Sequence, residues 1–157
     1  MTTDASPARV VADADVLVAD LLVGDAARDA LDHVRRHSWV TLVASDHLLD
    51  DAEAVIGSLA DPDLAGDWRE RIDTERKAVD HPADDHPALA SAYQGGAAHL
   101  LTFDEGLRST ATNLTIQPRA NLSIRTPGAF DGLFDAASLY EAVEGGEYPG
   151  PDCDPRA

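Results

Sequence analysis

The residues of this chain best placed to do chemistry are carboxylates that stop apolar runs. Val10-Val11-Ala12 is cut off by Asp13 and Asp15, after which Val16, Leu17, Leu21 and Leu22 resume at helical spacing. Ala97-Ala-His-Leu-Leu-Thr102 runs in the same way into Asp104. Asp85 stands in His81-Pro-Ala-Asp-Asp-His-Pro87, just before a predicted helix, and Asp50, Asp51 and Glu53 crowd together after Trp39-Val-Thr-Leu-Val-Ala44. Asp50 and Glu53 share a helix face at i, i+3, while Asp51 lies about 100° round from Asp50. A helix N-cap accounts for one acid of the Asp13/Asp15 pair. Converging carboxylates repel one another unless a divalent cation neutralises them. An oxygen-only ligand set suits Mg²⁺ or Mn²⁺ rather than zinc, and such sites hydrolyse phosphodiesters with one or two metals.

Positioning these acids needs strands that feed helices. Val10–Ala12 predicts a buried strand and the residues after it a helix, with Asp15 favoured as its cap. Gly24 breaks that helix, and Asp25 is expected to cap a second one reaching about His37. Trp39–Ala44 predicts strand two. Ser45 or Asp46 then caps a helix over Leu48–Leu59, whose apolar positions follow the helical period. Asp61-Pro62-Asp63 interrupts, and residues 64–79 predict a charged helix with Trp68, Ile72 and Val79 inward. Pro87 opens a helix that Gly95-Gly96 closes. Ala97–Thr102 is a third strand, followed by a short helix over 105–110. Leu114-Thr-Ile116 and Leu122-Ser-Ile124 are short β-like pieces, and two small helices follow, from Thr126 and over 135–143. Strands alternating with helices make the chain α/β with a parallel sheet. In such sheets, acids at the carboxyl ends of strands sit where ligands bind.

At 157 residues the chain is one domain by size. The expected layout is a flexible start over 1–8, one domain over 9–144 and a mobile Pro/Gly-rich tail over 145–157. No apolar run is long enough to span a bilayer and there is no signal peptide, so the expected location is cytoplasmic. The single cysteine, Cys153, rules out a disulfide framework and a thiolate metal site. Twenty-nine acids oppose 12 bases, and Lys77 is the only lysine. That balance ordinarily argues against nucleic-acid partners. Here the acids are spread over every segment, like the Asp-rich, Lys-poor surfaces of proteins from salt-loving organisms. In such solvents a Debye length below about 3 Å screens the repulsion.

Taken together, the motifs resemble those of the PIN domain, a metal-dependent nuclease fold that includes the ribonuclease toxins of toxin–antitoxin pairs. That family opens with an apolar strand, Asp-x-Asn and an apolar helix, matched by Val-Val-Ala-Asp13-Ala-Asp15-Val. Ser45-Asp-His-Leu-Leu-Asp-Asp51 is similar to its second motif, with Asp51 where the family has Glu. Asp85-His-Pro-Ala-Leu-Ala and Leu-Leu-Thr102-Phe-Asp104 are similar to its third and fourth, and Thr126-Pro-Gly-Ala-Phe130 to its closing motif. The resemblance covers residues 9–143. It implies a three-layer α/β/α fold with a mostly parallel sheet of about four to five strands. It also implies that Asp13, Asp51, Asp85 and Asp104 hold one or two Mg²⁺ or Mn²⁺ ions, and that a water activated by the metal hydrolyses RNA endonucleolytically. An RNA substrate, an antitoxin protein and a second copy of the chain are the partners it implies, with no membrane.

Two other readings are open. The opening motif also resembles that of haloacid dehalogenase-like phosphatases, in which Asp13 would be a nucleophile and Asp15 a general acid. That family needs a strand-end Thr or Ser, for which Thr41 is a poor match, and a lysine, for which only Lys77 is present. The other reading is a PIN-like binding or assembly module without catalysis. Thr102 and Ser45 are candidates for orienting a carboxylate. His81, His86 and His99 are expected to be surface or packed side chains.

Overall fold

A computed structural model of the chain describes residues 5–114 and 122–156, with side chains described through Ser109 and again from Leu122. The elements, in order, are β1 (Ser6–Ala12), α1 (Ala14–Leu22), α2 (Asp25–Arg35), β2 (Thr41–Ser45), α3 (Asp46–Leu59), α4 (Pro62–Glu75) and β3 (Arg76–Val79). They continue with α5 (Pro87–Gly95), β4 (Ala97–Leu101), α6 (Glu105–Leu114), β5 (Ser123–Arg125), α7 (Pro127–Leu133) and α8 (Ala136–Val143).

The five strands form one sheet in the order β3-β2-β1-β4-β5, and every neighbouring pair is parallel. Strands buried on both faces need no alternation, which is why Val10, Val11 and Ala12 are all buried in β1. Two crossovers, β1 to β2 and β2 to β3, step one way across the sheet; those into β4 and β5 step the other way. Right-handed connections then put α1–α4 on one face and α5 and α6 on the other. The result is a three-layer α/β/α sandwich. Packing on one face joins α1 to α2 and α3, and α2 to α7, while α5 lies along β2, β1 and β4. Gly95 lets α5 approach closely, because a Cβ there would collide with the side chain of Val43 in β2. Gly96 then ends the helix in the left-handed region, at φ 63°.

Several boundaries differ from those predicted. β1 starts at Ser6, four residues before the predicted Val10, because Ser6 N–H donates to Gly96 O (2.8 Å). Asp25 does not cap α2: Gly24 is the capping residue, without a side-chain bond, and Asp25 sits at φ 45° in the first turn. The charged helix predicted over 64–79 ends at Glu75, and Arg76–Val79 forms the edge strand β3. Val79 lies seven residues after Ile72, a spacing that a helix also produces, and four residues are too few to show a strand's alternation. Charged side chains suit an edge strand. Arg76 secures it by donating to Ala44 O (3.0 Å). Leu114 ends α6, and the rest of the β-like piece predicted there lies outside the described residues.

The segment expected as a mobile tail lies against the start of β2. Asp152 N–H and Cys153 N–H donate to Arg36 O (3.0 and 3.1 Å), and Ser38 N–H donates to the Asp152 carboxylate (2.8 Å). Tyr148 bonds His37 Nε2 (2.6 Å), and Arg156 grips Asp32 (2.8 and 3.0 Å). Among the described residues, no helix is long and apolar enough to cross a membrane.

Candidate active site

β1 sends its chain to β2 on one side, while β4 lies on its other side. The strand order therefore reverses between β1 and β4, and the crevice at their carboxyl ends is the place where open α/β sheets bind ligands. Parallel pairing of Ala12 with Leu101 brings the next residues of both strands, Asp13 and Thr102, side by side.

Thr102 is fully buried and is the hub of the crevice. Its hydroxyl donates to Asp13 Oδ2 (2.9 Å), lies 3.5 Å from Asp15 Oδ2, and accepts from Asp104 N–H (3.0 Å). Asp13 is the N-cap of α1, with Oδ1 accepting from Ala14 N–H (2.8 Å). Asp15, expected to be the cap, instead reaches across to β4's extension and accepts from Phe103 N–H (3.0 Å). Asp104 begins α6 by accepting from Leu107 N–H (3.2 Å). The Asp13 and Asp15 carboxylates and the Asp104 backbone amide thus meet at one hydroxyl, at the N-termini of two helices. Those termini carry partial positive charge and help the fold to tolerate the acids.

Among the described residues, no lysine or arginine forms an ion pair with these three acids. The Asp15 carboxyl is held above the ordinary carboxylate pKa. Lost hydration is the larger cause and repulsion from Asp13 the next, against the pull of the Phe103 and Val16 amides and the Thr102 hydroxyl.

The other predicted site residues lie apart from this crevice. Asp85 is exposed on the loop between β3 and α5, which crosses the same edge of the sheet, and its N–H donates to Pro82 O (3.2 Å). Asp51 is exposed on α3, about 8 Å along the helix from that edge at 1.5 Å per residue. Its neighbours are committed elsewhere: Arg69 donates to Asp50 (2.6 Å) and Glu53 (3.1 Å), and also pairs with Asp46 and Asp73. Among the described residues, no three His, Cys, Asp or Glu side chains converge as a ready-made metal cage. Mg²⁺ seldom needs one, since it keeps several waters and is commonly held by one or two carboxylates. A like-charge, oxygen-only pair such as Asp13 and Asp15, without a basic partner among the described residues, fits that kind of binding.

At the ends of β2 and β3 the polar groups are satisfied internally. Ser45 caps α3 through Leu48 N–H (3.1 Å) and bonds the buried His81 (2.8 Å). His81 Nδ1 donates to Pro82 O (2.8 Å), so Nε2 accepts from Ser45. His81 is therefore a packed histidine, as expected. The role of Phe103, whose amide holds Asp15, was missed, because a backbone contact leaves no signal in residue type. The phosphatase arrangement is not assembled: Thr41 starts β2, at the sheet edge opposite Asp13, and Lys77 is exposed on β3.

The sequence matches a family of unknown function, DUF7384, over residues 4–156. No curated protein and no solved structure matches the chain. With the match covering nearly its whole length, the chain belongs to the DUF7384 family.

Proposed function

For this member of the DUF7384 family, we propose a divalent-cation-dependent endoribonuclease whose working centre is the crevice between β1 and β4. The observation that carries the proposal is the Asp13–Asp15 pair at the switch point, joined through Thr102 to the backbone amide of Asp104 and, among the described residues, neutralised by no basic side chain. Asp13 and Asp15 are the residues that would hold Mg²⁺ or Mn²⁺. When bound, the cation supplies charge neutralisation, a more acidic water and stabilisation of the charge that grows on the phosphate. Thr102 fixes the Asp13 carboxylate, and the Phe103 amide fixes that of Asp15. Asp104 locks the turn that carries both donors. Asp85, on the same edge, and Asp51, on α3, complete the set implied by the PIN-like motifs.

Cleavage of labelled single-stranded RNA in high KCl with Mn²⁺ or Mg²⁺ tests this, beside EDTA and Asp13→Asn controls. Cleavage that both controls abolish is the expected result. A folded protein that cleaves nothing with either metal overturns it. One feature favours a second reading, a non-catalytic binding module: Asp13 and Asp104 each also serve as helix caps, so both would persist without catalysis. Isothermal titration with Mn²⁺ separates the two, since a module that keeps these acids only as caps binds no cation there.

A further inference from the structure

We propose that Phe103 is a stacking platform for an unpaired nucleobase beside the Asp13–Asp15 pair, which makes single-stranded RNA the substrate class of the crevice. The inference rests on the ribonuclease reading of that crevice. Phe103 is 45% exposed, whereas the chain's other two phenylalanines are packed: Phe130 is 4% exposed, and Phe134 stacks on His33 at 4.4 Å between ring centres. A lone exposed apolar side chain is ordinary by itself. What sets this one apart is its fastening. Its own N–H holds Asp15 Oδ2 (3.0 Å), Thr102 before it is buried and bonded to Asp13, and Asp104 after it caps α6. The backbone that carries the ring is thus tied on both sides to the acids, while the ring itself meets solvent.

Charge gives the platform its purpose. With a formal net charge of −17, the chain repels phosphates over most of its surface. Arg35, Arg69, Arg71, Arg76 and Arg156 are already paired with its own carboxylates. Arg9 and Arg28 are turned to backbone carbonyls. Base–aromatic stacking needs no charge, accepts any base, and persists at salt concentrations that erase ion pairing. A base lying on Phe103 must first leave its own stack, and this excludes a duplex.

The test is fluorescence anisotropy in molar KCl and Mg²⁺, using a labelled ten-nucleotide phosphorothioate RNA, single-stranded or annealed to its complement. Unaltered protein, Phe103→Leu and Phe103→Trp are compared, with circular dichroism to confirm folding and cleavage of unmodified RNA measured alongside. The expected result is preference for the single strand, a roughly 5- to 100-fold loss with Phe103→Leu, retention with Phe103→Trp, and quenching of the new tryptophan on binding. If the unaltered protein binds and cleaves while Phe103→Leu matches it, the platform is overturned and the ribonuclease reading stands. If the unaltered protein neither binds nor cleaves, both fall together. Equal binding of duplex and single strand, or a Phe103→Trp variant as weak as Phe103→Leu, also overturns the platform.

Discussion

Opposite edges of the sheet each hold a cluster of acids, and the two clusters are treated in contrary ways. At the amino-terminal edge, Asp20 and Asp32 are buried, at 5% and 6% exposure, and Arg35 lies between them while Arg156 closes over Asp32 from the chain's end. At the carboxyl-terminal edge, Asp13 and Asp15 meet a threonine hydroxyl and a backbone amide, Asp104 caps α6, and among the described residues no guanidinium pairs with any of them. Arg69, with Asp46, Asp50, Glu53 and Asp73, repeats the first pattern on the surface of α3 and α4. An acid neutralised within the chain is spoken for. One left to hydroxyls and amides has no countercharge beside it. In a chain with 22 aspartates, the partner of each acid says more than its presence.

The contrast can be broken most forcefully at the paired edge. Asp20→Ala strands the Arg35 guanidinium, whose side chain is only 16% exposed, and is expected to cost about 3–5 kcal/mol in urea unfolding. A cost below about 1 kcal/mol would mean that the pair is not what holds that edge. At the unpaired edge, Asp13→Asn should leave the unfolding midpoint nearly unchanged while cutting RNA cleavage by about 100-fold or more, the scale on which single electrostatic groups act in catalysis. Cleavage that survives the change removes the crevice from the chemistry.

Smaller effects sharpen the picture. Asp85→Asn and Asp51→Asn should each lower cleavage by less than about 10-fold, roughly 1.4 kcal/mol. A loss as large as that of Asp13→Asn would bring all four PIN-like acids into one site during turnover. The pH dependence of stability should run in opposite directions at the two edges. Burial raises the Asp32 carboxyl, but hydrogen bonds and charge from Arg156 and Arg35 outweigh it and hold the group below its usual value. Its stabilising contribution is present above the unfolded carboxylate pKa and is lost as pH falls through the lower folded value. Asp15 is shifted upward, so its ionisation costs stability as pH rises through its raised pKa. Asp15→Asn should therefore stabilise the protein at neutral pH by up to about 1 kcal/mol, discounted for solvent screening, and the gain should fade in acid. Unfolding curves at neutral pH and at about pH 3 check both signs, and a gain that persists in acid would exclude relief of charge as its cause.

Much of this architecture is legible in the residue order. Apolar runs at Val10, Leu42 and Leu100 predict buried strands, and Pro87, Gly95-Gly96 and Thr126-Pro127 mark helix limits, because backbone preferences act over a few neighbouring residues. The placement of Asp13 and Asp104 at strand ends is equally local, and both lie in the crevice. The division of labour between Asp13 and Asp15 is not local. Both can cap α1 on sequence grounds, and their roles are settled by Thr102 and Phe103, about 90 positions away, which parallel pairing of β1 with β4 brings alongside. The same holds for Asp50 and Glu53, claimed by an arginine on another helix, and for residues 76–79, which become a strand because β2 offers an open edge. Residue types and spacing determine where strands, helices and candidate acids lie. Which acids meet, and which are neutralised, depends on hydrogen bonds and charges between segments distant in the chain, and these exist only once the sheet has formed.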